Sequence, residues 1–100
     1  MKVFDIKKIK TFPYERREKN VFYKTPQFKM RMIELPPGGK MPECRMESHV
    51  IFYVTDGSAD ITVNGETETA FTGQVLIAEP AVLSMNTANG VKIMGIQVKA

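Results

Sequence analysis

The chain has one cysteine, one histidine and no tryptophan. A lone Cys44 cannot close an internal disulfide, and without paired cysteines there is no structural zinc spacing, so stability must come from packing. His49 is the only side chain whose ordinary pKa lies near neutrality, so no histidine cluster is present to hold a metal or run acid-base chemistry. No apolar run approaches the ~20 residues that cross a bilayer, and Met1-Lys2-Val3-Phe4-Asp5-Ile6-Lys7-Lys8 lacks the apolar stretch of a secretory leader. Cytoplasmic residence, with no membrane partner, is the expectation.

What is present is ordinary globular material: 43% hydrophobic and 25% charged residues in a length of 100, enough for one core. The charge is uneven, since residues 1–50 carry 12 Lys/Arg against 6 Asp/Glu and residues 51–100 carry 2 against 5. A basic half can attract anionic partners. Here the basic residues alternate with apolar ones as on strand faces, and no aromatic and basic interleaving of a nucleic-acid motif occurs, so nucleic acid is not an expected partner.

Residues 1–27 are irregular, with Pro13, Pro26 and scattered aromatics, and read as short extended pieces and loops. From Phe28 the pattern sharpens. Phe28, Met30 and Met32 alternate with Lys29, Arg31 and Ile33, the period of a strand with one buried face. Leu35-Pro36-Pro37-Gly38-Gly39 ends it in a turn. Val50 to Val54 reads as a strand, Thr55-Asp56-Gly57 as a break, and Ala59 to Val63 as a second strand. Asn64-Gly65 predicts a type I′ hairpin, with Glu66 to Phe71 running back. Val75 to Ile77, Val82 to Asn86 and Val91 to Val98 complete a series of short strands with frequent turns and no long helix. That is an all-β sandwich or barrel. Ile51 and Tyr53 oppose Val50, Phe52 and Val54, and Met94 and Ile96 oppose Val91 and Ile93, so both faces of these strands are apolar. The outer face should be covered by the N-terminal segment or by a second subunit, and a homodimer contacted by residues 1–27 is expected.

Gly38, Cys44, Met46, Val50 and Gly57, and then Gly73, Glu79, Ala81, Ser84 and Ala88, stand at the spacings of two motifs through which the stretch from Gly38 to Asn89 resembles the cupin superfamily. The first cupin motif is Gly, five residues, His-x-His, three or four residues, Glu, six residues, Gly. Counting from Gly38 puts Cys44 and Met46 on the histidine positions, Val50 on the glutamate and Gly57 on the closing glycine. The second motif, counted from Gly73, puts Glu79 and Ala81 on its Pro-x-Gly, Ser84 on its histidine and Ala88 on its asparagine, with Pro80 one position off. The resemblance implies a double-stranded β-helix, or jelly-roll, barrel over residues 28–100.

In metal-bearing cupins, three histidines and a carboxylate converge inside the barrel. Cys44, Met46, Val50 and Ser84 do not reproduce that donor set: valine coordinates nothing, and methionine and serine are weak ligands for borderline cations. No metal, cofactor or catalytic residue is therefore assigned. The expected site is an apolar pocket lined from Met32, Cys44, Met46, Val50, Phe52, Ile61, Ser84 and Met85, holding an apolar small molecule with one polar handle. Two other readings stand beside it. One is a filled barrel acting as a structural or protein-interaction module. The other is an enzyme with an atypical site, either a copper centre built on Cys44, Met46 and further methionines or a metal-free site using His49, which strand alternation turns away from Val50.

Overall fold

Strands form where the sequence alternates or concentrates β-branched and aromatic residues. The computed structural model describes residues 1–100. Its strands are β1 (Val21–Lys24), β2 (Phe28–Leu35), β3 (Lys40–Met46), β4 (His49–Val63), β5 (Glu66–Phe71), β6 (Val75–Ala78), β7 (Ala81–Asn86) and β8 (Val91–Val98). All pairings are antiparallel. One sheet runs β1-β2-β8-β4-β6 and the other β5-β4-β7-β3, with β4 shared between them.

The expected break at Thr55-Asp56-Gly57 is not a break. A single strand, β4, runs through it and changes sheets. Its first half pairs with β6 and β8, its second half with β5 and β7, and a bulge between Val54 and Asp56 turns the corner. Gly57 makes the corner possible, with φ +85° and its missing Cβ facing the Gly90 carbonyl oxygen at 2.3 Å. The turn-like residues thus serve a bend inside a strand. The Asn64-Gly65 hairpin forms as its sequence dictates, with φ 48° and 86° at the two central residues.

Between the sheets, Val50, Phe52, Val54, Ile61, Leu83, Met85 and Ile93 form the buried centre. One end of this core is closed by turns tied to Thr87. The Thr87 hydroxyl donates to Ser58 O at 2.8 Å and accepts from Gly90 N at 2.9 Å. Its backbone meets Gly38 and Gly39. The opposite end, where β2 and β4 begin and β3 and β8 finish, is less tightly filled.

The face of β2 that turns inward is not the one its methionines suggest. Arg31 pairs with Gly95 and Ile33 with Ile93, so Lys29, Arg31, Ile33 and Leu35 face the interior while Phe28, Met30, Met32 and Glu34 face out. Met32 is nevertheless fully buried. The N-terminal segment lies over it: Thr11 hydrogen-bonds Glu34, and Phe4 packs edge-on against Phe22 and Tyr23 at 5.0 and 5.9 Å. Fully buried residues occur on both faces of β2, and apolarity therefore does not mark the inner one.

The same segment then folds through two short 3-10 helices, Ile6–Lys8 and Tyr14–Asn20. The second packs on β2 and β1. No helix is long and apolar enough to cross a membrane.

Candidate functional site

At the open end of the barrel is a cavity of about 300 Å³. Five strands and one helix build it. The β3 strand contributes Met41, Cys44, Arg45 and Met46. Strand β4 supplies Val50 and Phe52, β7 supplies Leu83, and β2 supplies Lys29, Arg31 and Ile33. Gly95 and Gln97 of β8 and Tyr14, Arg17 and Glu18 of the second 3-10 helix complete the wall.

The hollow exists because Gly95 has no side chain. It lies between Arg31 on β2 and Phe52 on β4 in the sheet, paired with both. A Cβ there would stand 3.3 Å from the Phe52 ring. Any larger residue would crowd Phe52 and Ile33.

The chemistry of the walls is divided. Ile33, Met41, Val50, Phe52 and Leu83 make an apolar floor, while Arg17, Lys29, Arg31 and Arg45 set four cations around it with Glu18 as the one carboxylate. Arg45 is itself exposed and bonded to Glu47 at 3.2 Å. Arg31 is different, with only 12% of its side chain exposed. Its Nη2 donates to Gln97 Oε1 at 3.3 Å and lies 3.6 Å from Glu18 Oε1, whereas its buried Nε has no partner.

The phenol of Tyr14 is displaced from its ordinary pKa. Burial raises its phenol above the ordinary value of 10.0, the Cys44 thiol adds to this, and Arg17 and Arg31 pull the other way. The Arg17 guanidinium also lies over the Tyr14 ring, 5.2 Å from its centre. Cys44 Sγ approaches Met46 Sδ at 3.8 Å, and Gln97 Nε2 reaches the same sulfur at 3.8 Å. No three His, Cys, Asp or Glu side chains come together as a metal site.

Solved structures of low sequence identity share this architecture. A Thermus thermophilus protein superimposes with a TM-score of 0.83 at 16% identity, over 99% of this chain and 98% of that one. A cupin superfamily protein from Desulfitobacterium hafniense gives 0.75 at 12% identity, over 80% and 74%. An RmlC-like cupin family protein with a double-stranded β-helix fold, from Methanocaldococcus jannaschii, gives 0.71 at 17%, over 80% and 77%. The chain has the cupin fold. Neither a family model nor a curated protein matches the sequence, so the likeness carries architecture and not activity.

Within this cupin fold, Cys44, Met46, Val50 and Phe52 line the cavity together. The other four expected pocket residues do not line it. Met32 faces outward under the N-terminal segment. Ile61 and Met85, partners across β4 and β7, belong to the packed core. Ser84 stands on the outer face of β7 opposite Thr62, because the buried residues of that strand are Ala81, Leu83 and Met85. The second motif is thus out of step by one residue, and one residue reverses a strand's faces. His49 pairs with Val98 and lies outside the cavity lining.

The polar half of the site was missed from sequence. The sequence pattern sets Lys29 and Arg31 on the outer face of their strand and Tyr14 and Arg17 in irregular chain, and nothing in it singles out Gln97 within the last strand. One signal was available: Arg31 shares its parity with Ile33 and Leu35, and those two are continuous with the core.

Proposed function

We propose that this protein is a small-molecule-binding cupin-fold barrel that works without the metal centre of the metal-bearing cupins. One observation carries the reading: an open-ended cavity of about 300 Å³, at the low end of ordinary ligand-pocket size, with an apolar floor and convergent polar groups. Cys44, Met46 and Val50, the residues that stand at ligand positions of the first motif, all line it. They supply two sulfurs and a hydrocarbon, a donor set suited to packing against carbon and poorly suited to borderline cations.

The test uses protein with methyl-labelled methionine, because Met41 and Met46 line the cavity while Met32 and Met94 do not. Titration with hexanol or phenylpropanol is expected to move the Met41 and Met46 methyl signals saturably and leave Met32 and Met94 in place. A barrel that acts as a filled structural module would show no saturable shift at Met41 or Met46.

A second copy of the chain is the occupant we propose for the outer face of the β8-β4-β6 sheet. Two cross-strand rows, Ile96-Ile51-Ile77 and Met94-Tyr53-Val75, run across it. They end in the open at β6, where Ile77 is 73% and Val75 54% exposed. Since β6 pairs with β4 alone, its other edge is free, and an isologous contact would cover both the row and the edge.

A further inference from the structure

We infer that the cavity takes an organic anion, a carboxylate with a short apolar tail, and that Arg31 is the seat of the carboxylate. The assignment depends on the cavity being a ligand site, as proposed above, and names the class of ligand. Arg31 is a cation removed from water on most of its surface. Such a group is costly unless a counter-charge and hydrogen bonds satisfy it. The protein provides little of either. Glu18, its one carboxylate neighbour, is 74% exposed and stands 3.6 Å away, Gln97 is neutral, and Nε is buried without an acceptor. A guanidinium is a planar fork that fits two carboxylate oxygens at once, and a ligand carboxylate on its accessible side would supply the counter-charge that Glu18 gives only at 3.6 Å.

The surroundings select among anions. Arg17 and Lys29 add positive charge beside Arg31 and disfavour a cationic ligand. Ile33, Met41, Val50, Phe52 and Leu83 offer no partner to a second charged group. A phosphate ester or a dicarboxylate would bury charge against hydrocarbon, which is strongly unfavourable. A single carboxylate followed by a hydrocarbon chain or ring matches both halves. The volume of about 300 Å³ equals roughly ten water molecules of liquid, so the tail is short.

The experiment compares each acid with its alcohol on the methionine-labelled protein: hexanoate with hexanol, and phenylpropanoate with phenylpropanol. The native chain is expected to bind each acid roughly tenfold or more tightly than its alcohol, the discrimination typical of a charge-assisted pair. In Arg31→Leu the preference should vanish while alcohol binding persists, with the remaining methionine signals showing that the variant is folded. Glu18→Gln, at an exposed position, removes the competing carboxylate and should tighten acid binding several-fold. Equal binding of acid and alcohol to the native chain overturns the anion assignment and leaves the ligand-binding reading standing. A preference that survives Arg31→Leu, or acid binding unchanged or weakened in Glu18→Gln, overturns the role of Arg31. Absence of any saturable shift at Met41 or Met46 removes the ligand-binding reading and the anion assignment together.

Discussion

Asn20 holds the Phe12 backbone at both ends of its side-chain amide: Oδ1 accepts from Phe12 N at 2.7 Å and Nδ2 donates to Phe12 O at 2.9 Å. This pair, in which Asn20 is buried and Phe12 half-buried, closes the loop that carries Tyr14, Arg17 and Glu18 to the cavity wall. Asn20→Ala leaves two backbone groups of Phe12 without these partners and is expected to cost about 1–3 kcal/mol. Urea denaturation measures the loss, and hydrogen exchange at the Phe12 amide should accelerate more than exchange in β4. Equal acceleration at both sites would mean that the clamp has no local role.

Gly57 and Gly65 share nearly the same φ, +85° and +86°, yet differ in what surrounds them. A Cβ on Gly65 meets open space, whereas one on Gly57 meets the Gly90 carbonyl oxygen at 2.3 Å. Gly65→Ala should therefore show only the strain of positive φ, about 1 kcal/mol. Gly57→Ala must also move a backbone segment and should cost about 3 kcal/mol or more. Parallel thermal unfolding of the two variants checks the ordering. Similar losses would show that the β4 corner yields easily.

Those two glycines also mark where sequence was informative. The Asn64-Gly65 hairpin was legible because it is local: both residues tolerate positive φ and the strands on either side alternate. The barrel class was legible in the many short strands and frequent turns, and the grouping of Cys44, Met46 and Val50 in the resemblance to the first cupin motif. The corner at Gly57 was not legible. A glycine after Thr55-Asp56 looks the same whether the chain turns back or bends and continues, and only the distant turn at Gly90 decides. Met32 and Ser84 were misplaced by parity. In β2 the outer face is covered by residues from the N-terminal segment, so methionines on that face carry the same pattern as a core. In β7, alanine, leucine and methionine mark the inner face, but the imperfect second motif pulled the reading onto Ser84. The face of β2 that its methionines mark as outward is the one that carries Arg31 into the cavity.

Tyr14 supplies a pH dependence with a definite sign. Its folded pKa lies above the ordinary 10.0, so the folded chain keeps the phenolic proton where the unfolded chain has begun to lose it. The stability this contributes is complete below pH 10 and is lost as pH rises from there through the folded value. Phenolate absorbance is expected to contain a component above pH 10 that Tyr14→Phe removes, and the variant should lose less stability over that window than the native chain. A titration in which no component disappears on substitution would contradict the burial of this phenol.

Ile77 tests the outer face. If a second copy covers the Ile96-Ile51-Ile77 row, a lysine at its open end must be desolvated on both protomers and the dimer should dissociate. Sedimentation equilibrium at micromolar concentration is expected to give a dimer for the native chain and a monomer for Ile77→Lys, with unfolding midpoints of the variant becoming independent of concentration. A native chain that sediments as a monomer would remove the proposal.

Metal content bears on the proposed function most directly. Cys44 Sγ and Met46 Sδ lie 3.8 Å apart on the cavity wall, and soft donors of this kind favour Cu(I) over the metals that imidazole and carboxylate hold. Two sulfurs without a third convergent ligand make an incomplete site, because Val50 and Leu83 fill the adjoining positions with hydrocarbon. Protein purified without an affinity tag is expected to contain less than about a tenth of an equivalent of any transition metal, and Cu(I) titration under reducing conditions should show no stoichiometric step. A stoichiometric metal that disappears in Cys44→Ser would make these sulfurs ligands, and the barrel would then have to be treated as a metal-centred site in which Arg31 holds the substrate beside the ion.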